Sequence, residues 1–438
     1  MSHTEDMETL GAAVADLTKT LASKLQAANY PKPSFAADSP ATFPLEDEIQ
    51  KPRQQLIDTL TDLLHLATGP SDFLFLHGGL TWLQEPTTLD ILNRFDFFTN
   101  VPLAGDASYS DVARAVGLPE ALVRRVFRSA FTMRFFAPAS PGSDRVVHTA
   151  LSAHAARTPE LRAWIGHHLE EGRAAHVQAV EALRRFSAGR DEPTEDLHET
   201  AFGLSWPFRK PDGRLTDFFS MGEDDPPRGK RFVDAMQASV GSPLVSGEEA
   251  IEKFDWEGLG KAIVVDVGGS DGALAVLLAR RHANLRFTVQ DLPRLEAQFL
   301  ANLPADVSDR VTFRTHDFFE PQPQGADVFL MKHILHNWPD KYAVRILRNL
   351  VSALHRGGRI LVCDGVVPGL AEAQSLPLSV RKGIAAADMH MLVCFNAAER
   401  TLADWQNLAK KADPRLSLAG AHALPGALVH LLEFVMEA

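Results

Sequence analysis

The spacing of apolar residues changes once along the chain. In the first half they recur every three or four positions, for example from Leu10 to Leu25, which is the period of amphipathic helices. From Lys261 onward, short β-rich runs alternate with helical patterns. This alternation is typical of a parallel sheet whose strands are connected by right-handed crossovers. The sequence therefore predicts a helical domain over residues 1–245 and an α/β domain over residues 246–438.

The α/β half contains five predicted strands and a terminal hairpin. The strands are Ala262–Val267, Arg286–Gln290, Val311–Thr315, Asp327–Met331 and Arg359–Cys363. The hairpin pairs Leu416–Ala423 with Val429–Met436 around a Pro425-Gly426 turn. Together these runs predict a Rossmann-like mixed seven-stranded sheet.

The helical half contains a helix-turn-helix pattern. Ser110 can cap a first helix, Gly117 begins a turn, and a second amphipathic helix follows over Glu120–Phe131. Two short strands, Arg134–Ala137 and Arg145–His148, then surround a loop rich in proline, serine and glycine. We therefore expect this half to be helical and winged-helix-like.

Composition and charge exclude several classes of protein. The 438 residues carry a net charge of −12, whereas a nucleic-acid binder needs a basic surface. Two cysteines, Cys363 and Cys394, are too few for a disulfide framework or a cysteine-rich zinc site, and we expect no metal. The chain shows no run of about 18 apolar residues and no N-terminal signal pattern. We expect a cytoplasmic protein that binds neither nucleic acid nor a membrane.

A glycine-rich turn follows the strand Ala262–Val267 and leads into a helix. Gly268 and Gly269 permit a tight turn and the close approach of a ligand to the backbone. The carboxylates of Asp266 and Asp271 would repel a pyrophosphate but suit a cationic ammonium or sulfonium group. The turn has no P-loop Lys-Ser/Thr pair, so we do not expect a nucleoside triphosphate.

Polar residues also follow the next two strands. Asp291 ends the second strand, where an acid usually accepts hydrogen bonds from ribose hydroxyls. Asp317 and Phe318 follow the third strand, where a polar group and an aromatic ring can bracket an adenine. Because ligands bind outside the carboxyl ends of strands in open α/β sheets, these residues predict a nucleoside cofactor that carries a positive charge.

A histidine and two acids follow the remaining strands. His336 lies just past the fourth strand, and Asp364 closes the fifth. A carboxylate that orients an imidazole raises its basicity, and Glu399 supplies another acid before a later helix. This arrangement predicts a general base that removes the proton of a phenol, whose pKa of about 10 makes it a poor nucleophile near neutral pH. We expect His333 and His390 to be structural.

These motifs resemble those of the plant and fungal caffeate-type O-methyltransferases. The glycine motif of that family, Asp-Val-Gly-Gly-Gly-Thr-Gly, matches the run that begins at Asp266 except at Ser270 and Asp271. The Asp-Leu-Pro motif of the family matches Asp291-Leu292-Pro293, and its Asp-Met/Phe pair matches Asp317-Phe318. Its lysine and its catalytic histidine correspond to Lys332 and His336. Its Glu-Arg-Thr triplet matches Glu399-Arg400-Thr401.

The resemblance implies S-adenosylmethionine as the cofactor, a small phenolic or enolic secondary metabolite as the acceptor, and a homodimer formed through the helical domain. The implied catalytic residues are His336, Asp364, Glu399 and Lys332. The implied cofactor-binding residues are Asp266, Gly268, Gly269, Asp291, Leu292, Asp317, Phe318 and Lys332. The implied substrate contacts are Phe232, Met236, His336, Asp388 and Met391.

Two other activities stay open at this point. Some relatives in fungal secondary metabolism catalyse dehydration or pericyclic ring formation while holding the cofactor unconsumed, and the same pocket would serve such a cyclase. The helix-turn-helix could instead belong to a DNA-binding regulator, although the acidic charge balance argues against it. The sequence also departs from the family pattern at two places. Asp271 adds a negative charge beside the methionine end of the cofactor. An insert at Arg209–Arg214 could reshape the substrate entrance.

Overall fold

The computed structural model describes residues 6–208, 210, 212–240, 247–423 and 427–437. The chain divides into two compact units, each built from several stretches. The first unit is Met1–Arg173, Asp225–Ala238 and Leu376–Gly383, and the second is Ala174–Asp224, Ser239–Ser375 and Ile384–Ala438. The first unit is mainly helical and the second contains the large sheet. A domain boundary at residue 245 stays a prediction.

The helices and strands are as follows in chain order. The helices are α1 Met7–Ala27, α2 Asp47–Thr68, α3 Pro70–Asp72, α4 Trp82–Arg94, α5 Phe97–Asn100, α6 Tyr109–Val116, α7 Glu120–Thr132, α8 Ala150–Arg157, α9 Pro159–His167, α10 Arg173–Ala182, α11 Ala201–Leu204, α12 Phe218–Asp224, α13 Pro226–Val240, α14 Glu248–Glu252, α15 Ala273–Arg281, α16 Glu296–Asn302, α17 Asp340–Ala353, α18 Leu370–Ser375, α19 Leu378–Phe395 and α20 Leu402–Ala412. The strands are β1 Ala107–Ser108, β2 Ala137–Pro138, β3 Arg145–Val147, β4 Ala262–Val267, β5 Leu285–Asp291, β6 Val311–Thr315, β7 Ala326–Lys332, β8 Leu354–Val367, β9 Arg400–Thr401, β10 Leu416–His422 and β11 Val429–Met436.

The first unit contains the predicted winged-helix-like arrangement. Helices α6 and α7 are separated by Gly117, whose φ of 70° is readily adopted by glycine, and β1, β3 and β2 form an antiparallel wing. Val112 and Phe127 are fully buried between the elements of this unit. The prediction that Ser110 caps α6 is wrong. Ser108 is the cap, because its side-chain oxygen accepts a hydrogen bond from the backbone N–H of Asp111 at 3.1 Å.

Large apolar side chains remain exposed in another part of the first unit. They lie on α2, on a π-helical segment at Phe73–Thr81 and at the start of α4. Leu74, Phe75 and Leu83 are 70%, 72% and 71% exposed. The whole set, which we call the 57–83 apolar surface, consists of Ile57, Leu60, Leu64, Leu66, Leu74, Phe75, Leu76, Leu80, Trp82 and Leu83.

The second unit contains the predicted mixed sheet. Seven strands lie in the order β10-β11-β8-β7-β4-β5-β6, and the short β9 pairs with β8. Strands β4 to β8 run parallel to one another, whereas β11 is antiparallel to both β8 and β10. The terminal hairpin is therefore confirmed, although its Pro425-Gly426 turn lies outside the described residues, as do Arg209 and Pro211 of the predicted insert.

The central strand β7 shows why this sheet is buried on both faces. Its side chains alternate, so that Val328 and Leu330 belong to one apolar cluster while Phe329 and Met331 belong to another. All four are fully buried, which is typical of a parallel sheet covered by helices on both sides. None of the described helices is long and apolar enough to cross a membrane.

Truncation of Phe329 tests the central position of β7. Phe329→Ala should lower the free energy of unfolding by about 3–5 kcal/mol, because it removes a fully buried ring and leaves a cavity. Leu300→Ala is the control, since Leu300 is 60% exposed and its truncation should change that free energy by no more than about 0.5 kcal/mol. Chemical denaturation measures both, and equal losses would contradict the packing described here.

Candidate active site at the carboxyl edge of the sheet

The glycine-rich turn lies between β4 and α15. Gly268 has a φ of 73°, a conformation that side chains rarely adopt, and a Cβ at that position would collide with Ile334. A Cβ at Gly269 would lie 2.5 Å from the carboxylate of Asp266. The turn therefore requires glycine at both positions, and it leaves its backbone open to close approach by a ligand.

Asp266 is the buried acid beneath this turn. It is 2% exposed, and its Oδ2 atom has no hydrogen-bond partner among the residues that the structure describes. Burial raises the pKa of Asp266 to about 7, although the charge of Lys332 acts in the opposite direction. A buried carboxylate with an unused oxygen suits a cationic ligand, so this turn fits the positively charged nucleoside predicted from the sequence.

Asp291 ties the turn to the end of β5. Its two carboxylate oxygens accept hydrogen bonds from the backbone N–H groups of Ser270, at 2.9 Å, and Leu292, at 2.7 Å. Burial raises the pKa of Asp291 above its usual value, and these two hydrogen bonds offset only part of that rise. The carboxylate is thus fixed at the strand end while each oxygen keeps further accepting capacity.

Asp317 and Phe318 lie just past β6. Asp317 accepts a hydrogen bond from the backbone N–H of Phe319 at 2.9 Å, which turns the chain after the strand. The ring of Phe318 contacts Trp338 edge-on, with 5.7 Å between the ring centres. The ring of Phe219 stacks on Trp338, with 4.7 Å between the ring centres. Aromatic packing therefore connects the predicted adenine contact to the loop that carries His336.

His336 lies on a short 3-10 turn, Leu335–Asn337, that follows β7. Its Nδ1 atom is 3.0 Å from Oε1 of Glu399, and its side chain is 17% exposed. Asp364, on β8, is fully buried and accepts a hydrogen bond from the backbone N–H of Leu335 at 3.1 Å. The strand order predicted Asp364 near His336, and the family resemblance added Glu399. The structure assigns the hydrogen bond to Glu399, whereas Asp364 holds the turn itself.

The two acids change the protonation of His336. Burial alone would lower the pKa of His336, but the charge of Asp364 and the hydrogen bond and charge of Glu399 outweigh it and raise the pKa to about 8. Burial also raises the pKa of Asp364, to about 6. The arrangement therefore stabilises a protonated imidazole, which is the form that a general base reaches after it has taken a proton.

Two neighbours hold Glu399 and the turn in position. The backbone N–H of Glu399 donates to Oδ1 of Asp388 on α19 at 2.9 Å. The buried guanidinium of Arg400 donates to the carbonyls of Leu335, at 2.9 Å, and Trp338, at 2.7 Å, and to the carboxylate of Asp340. Sequence reasoning gave Arg400 no role, although its place beside Glu399 in the Glu-Arg-Thr triplet was an available signal.

His333 also lies close to this group. Its backbone φ is 54°, an unusual value for a residue other than glycine, and its Nδ1 atom is 3.9 Å from Oδ1 of Asp364. The possible ligand atoms of His333, His336 and Asp364 all lie within 4.8 Å of one another. Two imidazoles and a carboxylate are the donors of many transition-metal sites, so these residues could hold an ion. The absence of a metal stays a prediction.

The remaining predicted residues occupy different elements. Met391 is buried on α19, where Asp388 also lies. Phe232 and Met236 lie on α13 in the first unit, and the ring of Phe232 is 5.3 Å from that of His167. Lys332, the last residue of β7, forms an ion pair with Glu248 at 3.1 Å, a partner that the sequence did not indicate. Contact of these residues with a substrate or cofactor stays a prediction.

Comparisons with known proteins agree with this chemistry. The family model described as "O-methyltransferase domain" matches residues 186–413. The O-methyltransferase pgmB of Aspergillus terreus is 34% identical over 100% of this chain and 97% of its own length. The O-methyltransferase pyvH of Aspergillus violaceofuscus is 32% identical over 98% of each chain.

Solved structures share the fold. A structure of LepI in complex with SAM covers 98% of this chain and 100% of LepI, with a TM-score of 0.74 and 22% identity. The mitomycin 7-O-methyltransferase MmcR covers 89% of this chain and 100% of its own, with a TM-score of 0.67 and 22% identity. At this identity the two structures establish the architecture, not the substrate.

Neutralising Glu399 tests the electrostatics of His336. Glu399→Gln should lower the pKa of His336 below its native value of about 8, because the imidazolium loses the negative partner that stabilises it. NMR titration of the imidazole ring measures this pKa directly. Glu320→Gln, on an exposed acid, is the matched control and should leave it unchanged. An equal pKa in wild type and Glu399→Gln would exclude the role given to this hydrogen bond.

Proposed function

The chain belongs to the O-methyltransferase family and uses S-adenosylmethionine, and on that premise we propose that it methylates a hydroxyl of a small phenolic or enolic secondary metabolite with His336 as the general base. The observation that carries this proposal is the hydrogen bond between Nδ1 of His336 and Glu399 at 3.0 Å, at the carboxyl edge of the sheet. That bond directs Nδ1 toward an acid, so Nε2 is the nitrogen that would take the proton of the acceptor.

The residues of the second unit suit each part of this reaction. S-adenosylmethionine supplies, when bound, an electrophilic methyl group on a positively charged sulfur. His336 would take the proton from the acceptor hydroxyl, and the charges of Asp364 and Glu399 would stabilise the imidazolium that results. Holding the hydroxyl in line with the methyl group can contribute on the order of 7 kcal/mol or more to the lowering of the barrier.

The predicted cofactor residues have the chemistry that this molecule requires. Asp266, Gly268 and Gly269 would lie beside its charged end, where the unused Oδ2 of Asp266 offers an anionic acceptor. Asp291, with Leu292, would accept hydrogen bonds from the ribose hydroxyls. Asp317 and Phe318 would contact the adenine. Phe232, Met236, Asp388 and Met391 remain proposed substrate contacts, and a cytoplasmic location stays a prediction.

Removal of His336 tests the proposed base. His336→Ala should lower kcat/KM by about 10²–10⁴-fold, since general-base catalysis contributes roughly that much. The measurement is the release of S-adenosylhomocysteine with a panel of phenols and enols. His355→Ala, which removes an imidazole that pairs with Asp327 on the surface, is the control and should keep full turnover. Unchanged turnover in His336→Ala would reject the assignment.

The pH dependence follows from the same residue. A general base acts in its neutral form, and with a pKa of about 8 only roughly a tenth of His336 is neutral at pH 7. In this assay, kcat/KM should therefore rise with pH up to about 8 and level off above it.

A cyclase would instead give a product whose mass is unchanged by a methyl group and would leave the cofactor unconsumed, so mass spectrometry of the same reactions distinguishes the alternative.

We further propose that two copies of the chain associate through the 57–83 apolar surface. This surface exposes ten large apolar side chains on one short stretch of chain, whereas soluble monomers rarely expose a large contiguous apolar patch. A second copy of the same surface is an apolar partner of matching chemistry, as a symmetric dimer provides.

Charged substitutions test this association. Leu74→Glu combined with Phe75→Glu should convert a dimer into a monomer, because the contact would have to bury two carboxylates. Analytical ultracentrifugation gives the mass of the assembly. Leu300→Glu, at an exposed leucine of the second unit, is the control and should leave the mass unchanged. A monomeric wild type, or a variant that remains dimeric, would contradict the proposed surface.

A further inference from the structure

An ion pair at the carboxyl edge of the sheet has no role in the proposed proton transfer. Lys332 is the last residue of β7 and Glu248 is the first residue of α14, 84 positions away. The ammonium of Lys332 donates a hydrogen bond to Oε1 of Glu248 at 3.1 Å. The two side chains are 15% and 27% exposed, so the pair is partly shielded and still open to a ligand.

Close packing fixes Glu248 at this position. The preceding residue, Gly247, has a φ of 66°, and a Cβ there would collide with the sulfur of Cys363 and the side chain of Val429. Cys363 is paired in register with Lys332 across β7 and β8. The backbone before α14 is thus pressed against the strand beside Lys332, and only glycine permits that approach.

A third charged group lies near the pair. Asp266 on β4 is paired in register with Leu330 on β7, two residues before Lys332, and the charge of Lys332 opposes the burial that raises the pKa of Asp266. Oδ2 of Asp266 is buried and has no hydrogen-bond partner in the part of the chain that the structure describes. This corner of the edge therefore offers the Lys332–Glu248 ion pair and, beside it, a buried carboxyl group with an unused acceptor.

We infer that Glu248 and Lys332 together bind the amino-acid end of S-adenosylmethionine, with Glu248 as an acceptor for its ammonium group and Lys332 as a donor to its carboxylate. The ammonium and carboxylate groups of an α-amino acid are attached to the same carbon. The complementary site is therefore a pair of oppositely charged side chains only a few ångströms apart. The Lys332–Glu248 pair has that property in the free protein. The inference rests on the proposed function for its cofactor and assigns Glu248 as a further binding residue.

A pair of ligands tests the inference without measuring turnover. S-adenosylhomocysteine contains the amino-acid end, whereas 5′-methylthioadenosine has the same nucleoside and thioether sulfur without it. Glu248→Gln should weaken binding of S-adenosylhomocysteine by about tenfold or more, because a charge-assisted hydrogen bond becomes a neutral one. Binding of 5′-methylthioadenosine should not change. Isothermal titration calorimetry measures both dissociation constants.

The control is the neighbouring acid on the same helix. Glu249 is exposed, and Glu249→Gln should leave both dissociation constants unchanged. Equal weakening of the two ligands by Glu248→Gln would show that the pair supports the structure only, and no weakening of either would show that Glu248 does not contact the ligand. Either result overturns the inference. Normal binding of S-adenosylhomocysteine without methyl transfer to any acceptor would instead refute the proposed function.

Discussion

Carboxylates held away from water at one edge of the sheet are the constraint on which the second unit depends. Asp266 and Asp364 are almost fully buried, and a buried charge is costly unless it is paired or hydrogen-bonded. The imidazole of His336 and a backbone N–H partly compensate Asp364, and the charge of Lys332 partly compensates Asp266, but burial still raises the pKa of both acids. The cationic groups that reduce the cost of these buried acids are thus the same groups to which the proposed chemistry assigns a role.

The carboxyl edge itself could be predicted from the sequence because parallel strands all present that end to the same side. Once β4 to β8 are recognised as parallel, the residues after each strand must lie together, and Asp266, Asp291 and His336 follow from their order alone. The glycine turn was predictable for a similar reason, since its backbone conformation requires the residue type. The cap of α6 shows the limit of this reasoning. The sequence predicted Ser110, but the cap is Ser108, and two serines in one turn carry the same signal.

The partners within the site could not be predicted in the same way. Glu399 lies 63 residues beyond His336, on a loop whose path depends on how α19 packs, and the order of the strands favoured Asp364 as the acid that orients the imidazole. Glu248 was missed because α14 has only five residues and no motif, so nothing in its sequence marks its approach to Lys332. Such contacts depend on tertiary packing rather than on periodicity or residue type.

The guanidinium of Arg400 gives the base its fixed position without approaching the chemistry. Its planar fork meets two carbonyls and a carboxylate that lie in different directions around the turn, which the single ammonium of a lysine could not match. The orientation of the His336 imidazole thus depends on Arg400, a side chain that is itself buried. Because Arg400 is only 4% exposed, a change in the side chains that contact the acceptor need not disturb this support of the turn.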